Sequence, residues 1–162
     1  PNMLTFVSLL FVIGAFFLFW ENRLWVGVLA LFLHYVLDAL DGVVARASNN
    51  STVFGMFFDR FVDVLRFFCW VPFAMNGYLD YSLVVWVVGV GLLAAFCFIY
   101  YEITSIKRIS WVPTIFNFLL FFAVLTGQVY LFALLSVILN GLAIVSNVLI
   151  VWYMNVLQKS YK

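Results

Sequence analysis

The sequence predicts an all-α, polytopic membrane protein with six transmembrane helices, and three observations carry that expectation. Of the 162 residues, 67% are hydrophobic and only 9% are charged, whereas soluble domains carry roughly a quarter charged residues. The apolar residues come in runs of about 20, the length a helix needs to cross the hydrocarbon core. Short polar breaks separate the runs. A chain this size cannot hide so much apolar surface in one aqueous core, so most of it is solvated by lipid. One membrane domain, residues 1–162, accounts for everything, with no soluble domain, internal repeat or long linker.

The first run, 3–20, ends at Glu21-Asn22-Arg23, and the second, 24–46, at Ser48-Asn49-Asn50-Ser51. The third, 53–77, contains Pro72 and runs into Asn76-Gly77-Tyr78-Leu79-Asp80. The fourth, 82–104, stops before Lys107-Arg108. The fifth, 111–127, contains Pro113 and turns at Thr126-Gly127-Gln128 into the sixth, 130–157. Neighbouring membrane helices absorb the hydrogen bond each proline loses. The chain opens on Pro1 rather than methionine, so the natural protein is expected to begin upstream. The first run is too long for a cleaved signal peptide.

An even number of spans puts both termini on one side with the 47–52 and 105–110 loops. That side collects Arg46, Lys107, Arg108, Lys159 and Lys162, against Arg23 alone on the other. The positive-inside rule makes the first side cytoplasmic. The N-x-[ST] patterns at Asn49 and Asn50 then lie on the wrong side for glycosylation and are chance matches. A net charge of +1 gives no sign of a nucleic-acid partner. Cys69 and Cys97 sit in apolar runs and read as small buried hydrophobes. The phenylalanines and tryptophans face lipid, with Trp20, Trp25 and Trp111 near the interfaces.

Ionisable residues inside the second and third spans are the informative exception: Asp38, Asp41, Arg46, Asp59, Arg60, Asp63 and Arg66. Each charge near a helix centre costs roughly 2.5–3.5 kcal/mol on insertion scales. A structural ion-pair cluster is the plain alternative, with Arg60 and Arg66 neutralising aspartates, but four aspartates exceed what it needs. Asp38 and Asp41 are three apart and Asp59 and Asp63 four apart, so each pair shares a helix face. A hairpin turning near Asn50 brings Asp41 level with Asp59 and Asp38 with Asp63, about 13–20 Å along the helices from the turn. Four carboxylates packed together need positive compensation. Mg²⁺ takes oxygen ligands and keeps positions for substrate phosphates, and a two-metal site is the natural solution. Gly42, Ala45 and Gly55 lie beside the carboxylates, either as helix-packing contacts or as space for a nucleotide against the backbone.

Read as one string, the segment is Asp38-x2-Asp41-Gly42-x2-Ala45-Arg46-x8-Gly55-x3-Asp59-x3-Asp63. It resembles the signature of the CDP-alcohol phosphotransferase family, class I, at all eight fixed positions. The opening Pro1-Asn2-Met3-Leu4-Thr5 looks like the P-N-x-L-T start common there, and six spans are the usual architecture. The resemblance implies a phospholipid-biosynthetic transferase acting on a CDP-alcohol, most simply a CDP-lipid such as CDP-diacylglycerol, with release of CMP. It implies two divalent ions, Mg²⁺ or Mn²⁺, on Asp38, Asp41, Asp59 and Asp63, with Asp38 and Asp59 bridging. Asp63 would also act as general base. Asn2, Gly42, Ala45, Arg46, Thr52 and Gly55 would contact the nucleotide, and a homodimer is implied.

The family also includes members that use CDP-choline or CDP-ethanolamine with a diglyceride. Members making phosphatidylglycerol phosphate usually carry an arginine where this chain has Ser8, which counts against glycerol 3-phosphate. Lys107, Arg108 and Arg66 are candidates for a phosphorylated acceptor, but few basic residues favour a neutral or singly charged one. Lys107 and Arg108 also read as headgroup anchors, and Arg66 as a counter-ion for Asp63 or Glu102. His34, one turn before Asp38, reads as a core histidine more readily than as a second group orienting that carboxylate. Rival readings are an ion or proton transporter, which expects carboxylates spread along a path, and a membrane prenyltransferase, which lacks the Gly42, Ala45 and Arg46 pattern. A purely structural subunit comes last.

Overall fold

The computed structural model describes residues 2–47, 53–104 and 119–160. Over these residues the protein is all-helical. Helices α1 (Asn2–Trp20) and α2 (Leu24–Ala47) are followed by α3 (Val53–Leu65), a 3-10 turn over Arg66–Trp70, and α4 (Val71–Met75). Then come α5 (Tyr81–Thr104), α6 (Leu119–Thr126) and α7 (Val129–Ser160). Lys107, Arg108, Trp111 and Pro113 lie outside the described residues, as does the first part of the fifth expected span.

Three stretches are long and apolar enough to cross a membrane: Met3–Trp20, Leu24–Val44 and Val129–Tyr153. Tyr81–Cys97 is a shorter apolar helix. The chain is therefore an all-α integral membrane protein, with three qualifying spans among the described residues where the sequence suggested six crossings. The difference has a local cause in the third expected span, 53–77. It falls on α3, the 3-10 turn and α4, and it carries Asp59, Arg60, Asp63 and Arg66. Its charges and its change of helix type both remove it from a test of apolar length.

The α1–α2 pair is the most extensive helix packing in the protein. On α1, Thr5, Ser8, Val12, Ala15 and Phe19 recur at alternating steps of three and four, and none is more than 2% exposed. That is the spacing of a coiled-coil seam. On α2 the same rhythm runs through Gly27, Leu31, His34, Asp38 and Asp41. The seam is apolar at the end holding Phe19 and Gly27 and polar at the end holding Thr5 and Asp41. Outside it, large side chains such as Phe17, Trp20, Trp25 and Trp86 are exposed, as lipid-facing residues are.

Two matching helix ends close the apolar end of the seam. Asn22, with φ 60°, ends α1, its N–H bonding Phe19 O at 3.0 Å while the Arg23 N–H reaches Leu18 O at 2.8 Å. Gly77, with φ 78°, ends α4 in the same way, through Gly77 N–H to Ala74 O at 3.0 Å and Tyr78 N–H to Phe73 O at 2.8 Å. Both are Schellman caps, which favour glycine or asparagine at the left-handed position. The caps are tied together: Asn76 Nδ2 donates to Phe19 O at 2.7 Å, and the Tyr78 hydroxyl donates to Asn22 Oδ1 at 3.0 Å. The Phe19 and Phe73 rings meet beneath them, centroids 5.1 Å apart.

Between α3 and α4 the chain stays in right-handed helical conformation, with Leu65 at φ −60°, ψ −31° and Trp70 at φ −77°, ψ −22°. The tightening to a 3-10 turn precedes Pro72, which has no N–H to continue an α-helical ladder and whose ring crowds the carbonyl four residues back. Phe67, Cys69 and Trp70 of this turn are buried, packed against α1 and α5. The turn anchors the acidic helix to the core.

Close approach of α1 and α2 depends on Gly27, where an added Cβ would fall 2.5 Å from the Phe19 ring. Phe19 is fully buried and cannot swing away. Gly27→Ala is expected to destabilise the protein by about 1–3 kcal/mol, read as a lowered unfolding midpoint in detergent. Gly14→Ala, where a Cβ meets nothing within 4 Å, is expected to leave the midpoint unchanged or raise it.

Candidate active site

At its polar end the seam meets α3. Asp41 is buried on α2, and its Oδ2 accepts a hydrogen bond from the Thr5 hydroxyl of α1. Its other oxygen, Oδ1, is buried without a hydrogen-bond partner. Asp38, half-buried one turn earlier, is in side-chain hydrogen-bond contact with Asp59 of α3. Asp63 is a charged neighbour of both, and Asp41 of Asp59. Asp59 thus has the other three aspartates as neighbours, two of them across the helix pair.

The level pairs expected of a simple hairpin, Asp38 with Asp63 and Asp41 with Asp59, are neighbours here, and a further contact joins Asp38 to Asp59. Helix α1 packs against both α2 and α3, whereas α2 and α3 are not an extensively packed pair among the described residues. The two acidic helices therefore meet through side chains rather than backbones, with the small residues Gly42 on α2 and Gly55 on α3.

Cations surround Asp63. Arg60 Nη1 lies 3.1 Å from its Oδ2 and Arg66 Nη1 2.8 Å from its Oδ1. Arg60 also stands 3.7 Å from Asp59 Oδ2. The Arg66 guanidinium is held over the Tyr35 ring at 5.9 Å and the Phe67 ring at 5.6 Å, a placement that fixes a delocalised cation. Each Asp63 oxygen thus carries one arginine contact and keeps a second lone pair.

Two carboxyls in contact need a proton or a cation between them, and a buried oxygen without a partner costs about 1–3 kcal/mol. The Asp38–Asp59 contact and the bare Asp41 Oδ1 both fit hard divalent ions, whose ligands are oxygens. Among the described residues no three His, Cys, Asp or Glu side chains are arranged to hold a metal ion. The donors fit in kind, and their internal pairings are what a cation would displace.

A family model, CDP-alcohol phosphatidyltransferase, matches residues 1–156. The chain belongs to the CDP-alcohol phosphatidyltransferase family. It is thus a member of a family of membrane transferases that draw on CDP-alcohol donors. A protein of Aquifex aeolicus (strain VF5), described only as uncharacterized, is 42% identical over 78 residues. The match covers 48% of this chain and 38% of that protein, so the chain spans well under two thirds of that relative. No solved structure matches. Membership favours the transferase reading over the ion-path and prenyltransferase readings.

Of the residues the sequence pointed to, Thr52 lies outside the described residues, as do the side chains of Asn2, Ala45 and Arg46. Arg66 is the counter-ion of Asp63. His34 is fully buried and paired with the Ser8 hydroxyl at 2.6 Å, its Nε2 without a partner, which is the core-histidine arrangement. Ser8 therefore faces the helix seam. The contact between Thr5 and Asp41 was not anticipated from the sequence. Its signal was present: Thr5 and Ser8 are polar residues at seam spacing in an otherwise apolar helix.

Arg66→Met keeps the length of the side chain and removes its charge. It is expected to destabilise the protein by about 1–3 kcal/mol, because Asp63 Oδ1 loses its partner in a half-buried setting. Thermal unfolding of the detergent-solubilised variant checks this.

Proposed function

We propose that the protein transfers a substituted phosphate group from a CDP-alcohol, most simply a CDP-lipid such as CDP-diacylglycerol, to an acceptor alcohol with release of CMP. The observation that carries the proposal is the group of four aspartates, with Asp38 against Asp59, standing on the motif of the matching family. Asp38, Asp41, Asp59 and Asp63 would hold two divalent ions, Mg²⁺ or Mn²⁺. Bound there, such ions neutralise a diphosphate and polarise the phosphorus under attack.

The residues of the chain supply the rest. Asp63 takes the proton of the acceptor hydroxyl as the acceptor oxygen bonds to the phosphorus nearer the donor alcohol. The bond from that phosphorus to the oxygen of CMP breaks, and CMP leaves with the electron pair. Arg60 and Arg66 hold the Asp63 carboxylate in place. Gly42 and Gly55, with Asn2, Ala45, Arg46 and Thr52, form the nucleotide side of the site in this reading. In this reading the donor lies beside the carboxylates, between α2 and α3.

The proposal includes six membrane crossings in one domain over residues 1–162. The α3–α4 segment, α5 and the segment ending in α6 join the three apolar spans. Basic residues at Arg46, Lys107, Arg108, Lys159 and Lys162 then put the site at the cytoplasmic face. A homodimer is the assembly expected from the family. The burial of Ser8 against His34 leaves no room for an arginine at that position, in keeping with an acceptor other than glycerol 3-phosphate.

Purified protein in mixed micelles with CDP-diacylglycerol and a panel of acceptor alcohols is expected to release CMP, and a chelator should stop it. Asp63→Asn should abolish turnover, a loss of at least about 10²-fold, while leaving the unfolding midpoint within a few degrees. Near-normal turnover by Asp63→Asn would refute its role as base. No CMP from any CDP-alcohol would refute the transferase reading.

A further inference from the structure

The buried polar atoms without a hydrogen-bond partner among the described residues are Asp41 Oδ1 and His34 Nε2. Each belongs to a side chain whose other polar atom is held by a hydroxyl of α1: Asp41 by Thr5 and His34 by Ser8. Both hydroxyl residues are at most 2% exposed and both lie on the α1 seam. The first helix therefore aims two side chains of α2, fixing one end of each and leaving the other end bare.

We propose that Thr5 is a positioning residue for the metal-binding carboxylate Asp41. A carboxylate on its own turns about its Cβ–Cγ bond and offers either oxygen or both. With Oδ2 engaged by the Thr5 hydroxyl, rotation is stopped and Oδ1 is the oxygen presented. The hydroxyl donates and the carboxylate accepts, so Oδ2 is occupied and Oδ1 is left for a cation. Thr5 is well suited to the task because its β-branch restricts its own rotamers in a helix. Its neighbours on the seam, Ser8 and Val12, are buried as deeply, so it has no space to move. The effect is that of an outer partner which orients a ligand without touching the ion. This inference rests on the reading of Asp41 as a metal ligand, and its test separates the two.

The test is Mn²⁺ binding to detergent-solubilised protein, read as loss of the free-ion signal in electron paramagnetic resonance, with turnover followed alongside. Thr5→Val keeps the shape of the side chain and removes the hydroxyl. Its Mn²⁺ dissociation constant is expected to rise about 10–100-fold. The Mn²⁺ concentration for half-maximal turnover should rise in parallel, so that excess Mn²⁺ restores much of the rate. Thr5→Ser, which keeps the donor, should bind Mn²⁺ as the parent protein does. Val12→Ala opens a cavity in the same seam without touching Asp41, and should lower the unfolding midpoint while leaving Mn²⁺ affinity alone.

Unchanged affinity in Thr5→Val, beside normal binding by the parent, would overturn the role of Thr5 and leave the metal site standing. An equal loss in Val12→Ala would overturn it too, by showing that affinity follows seam integrity. A parent protein that binds no Mn²⁺ would overturn both the inference and the reading on which it rests. Should Thr5→Val fail to fold, Thr5→Ser and Thr5→Cys decide: a weak thiol donor that binds Mn²⁺ as well as serine does is the contradicting result.

Discussion

Four carboxylates inside helices that lipid surrounds are the constraint on which the rest of this structure turns. An ion in hydrocarbon is expensive and a group of like charges more so. The protein meets the difficulty in three ways. Arg60 and Arg66 pair with Asp63, Asp38 and Asp59 share one contact, and Thr5 satisfies one side of Asp41. What stays uncompensated is one buried oxygen, Asp41 Oδ1. A fold built only for stability would replace such a cluster with well-packed hydrophobes, often at no loss. Its presence is the imprint of chemistry.

The architecture follows from holding that cluster in place. The α1–α2 seam is zipped from its apolar end, where the Phe19 ring fills the space left by Gly27 and two tied helix caps fix the turn. From that fixed end the same helical rhythm carries Asp38 and Asp41 to the polar end, so their position is set by core packing rather than by loops. On the other side, the buried 3-10 turn at Arg66–Trp70 fastens α3 to α1 and α5. A site on rigid elements is more exact than one on loops, and here α2 is pinned at the end remote from its aspartates and α3 at the end beside them.

Much of this was legible in the sequence because its signals are local. Apolar runs between Glu21-Asn22-Arg23 and the other breaks mark helices, and the i+3 and i+4 spacings put each aspartate pair on one face. Other features depend on tertiary relations that a single chain does not spell out. The hairpin geometry suggested Asp38 opposite Asp63 and Asp41 opposite Asp59; both pairs are neighbours, and Asp38 also meets Asp59, a contact the hairpin alone did not suggest. The third expected span is apolar over most of its length, yet its own charges and the tightening before Pro72 break it up. Thr5 and Ser8 looked like incidental polar residues in a membrane helix. Only the seam, running across two helices at once, reveals which side chains they hold.

The central claim is that these aspartates gather around paired divalent ions. Continuous-wave electron paramagnetic resonance of the Mn²⁺-loaded protein tests it most directly, because two Mn²⁺ ions sharing carboxylate ligands couple to one another. The account predicts two ions per chain with a spin-coupled spectrum, reduced to isolated-ion lines in Asp59→Asn. Isolated Mn²⁺ lines in the unaltered protein, or no bound Mn²⁺, would contradict it.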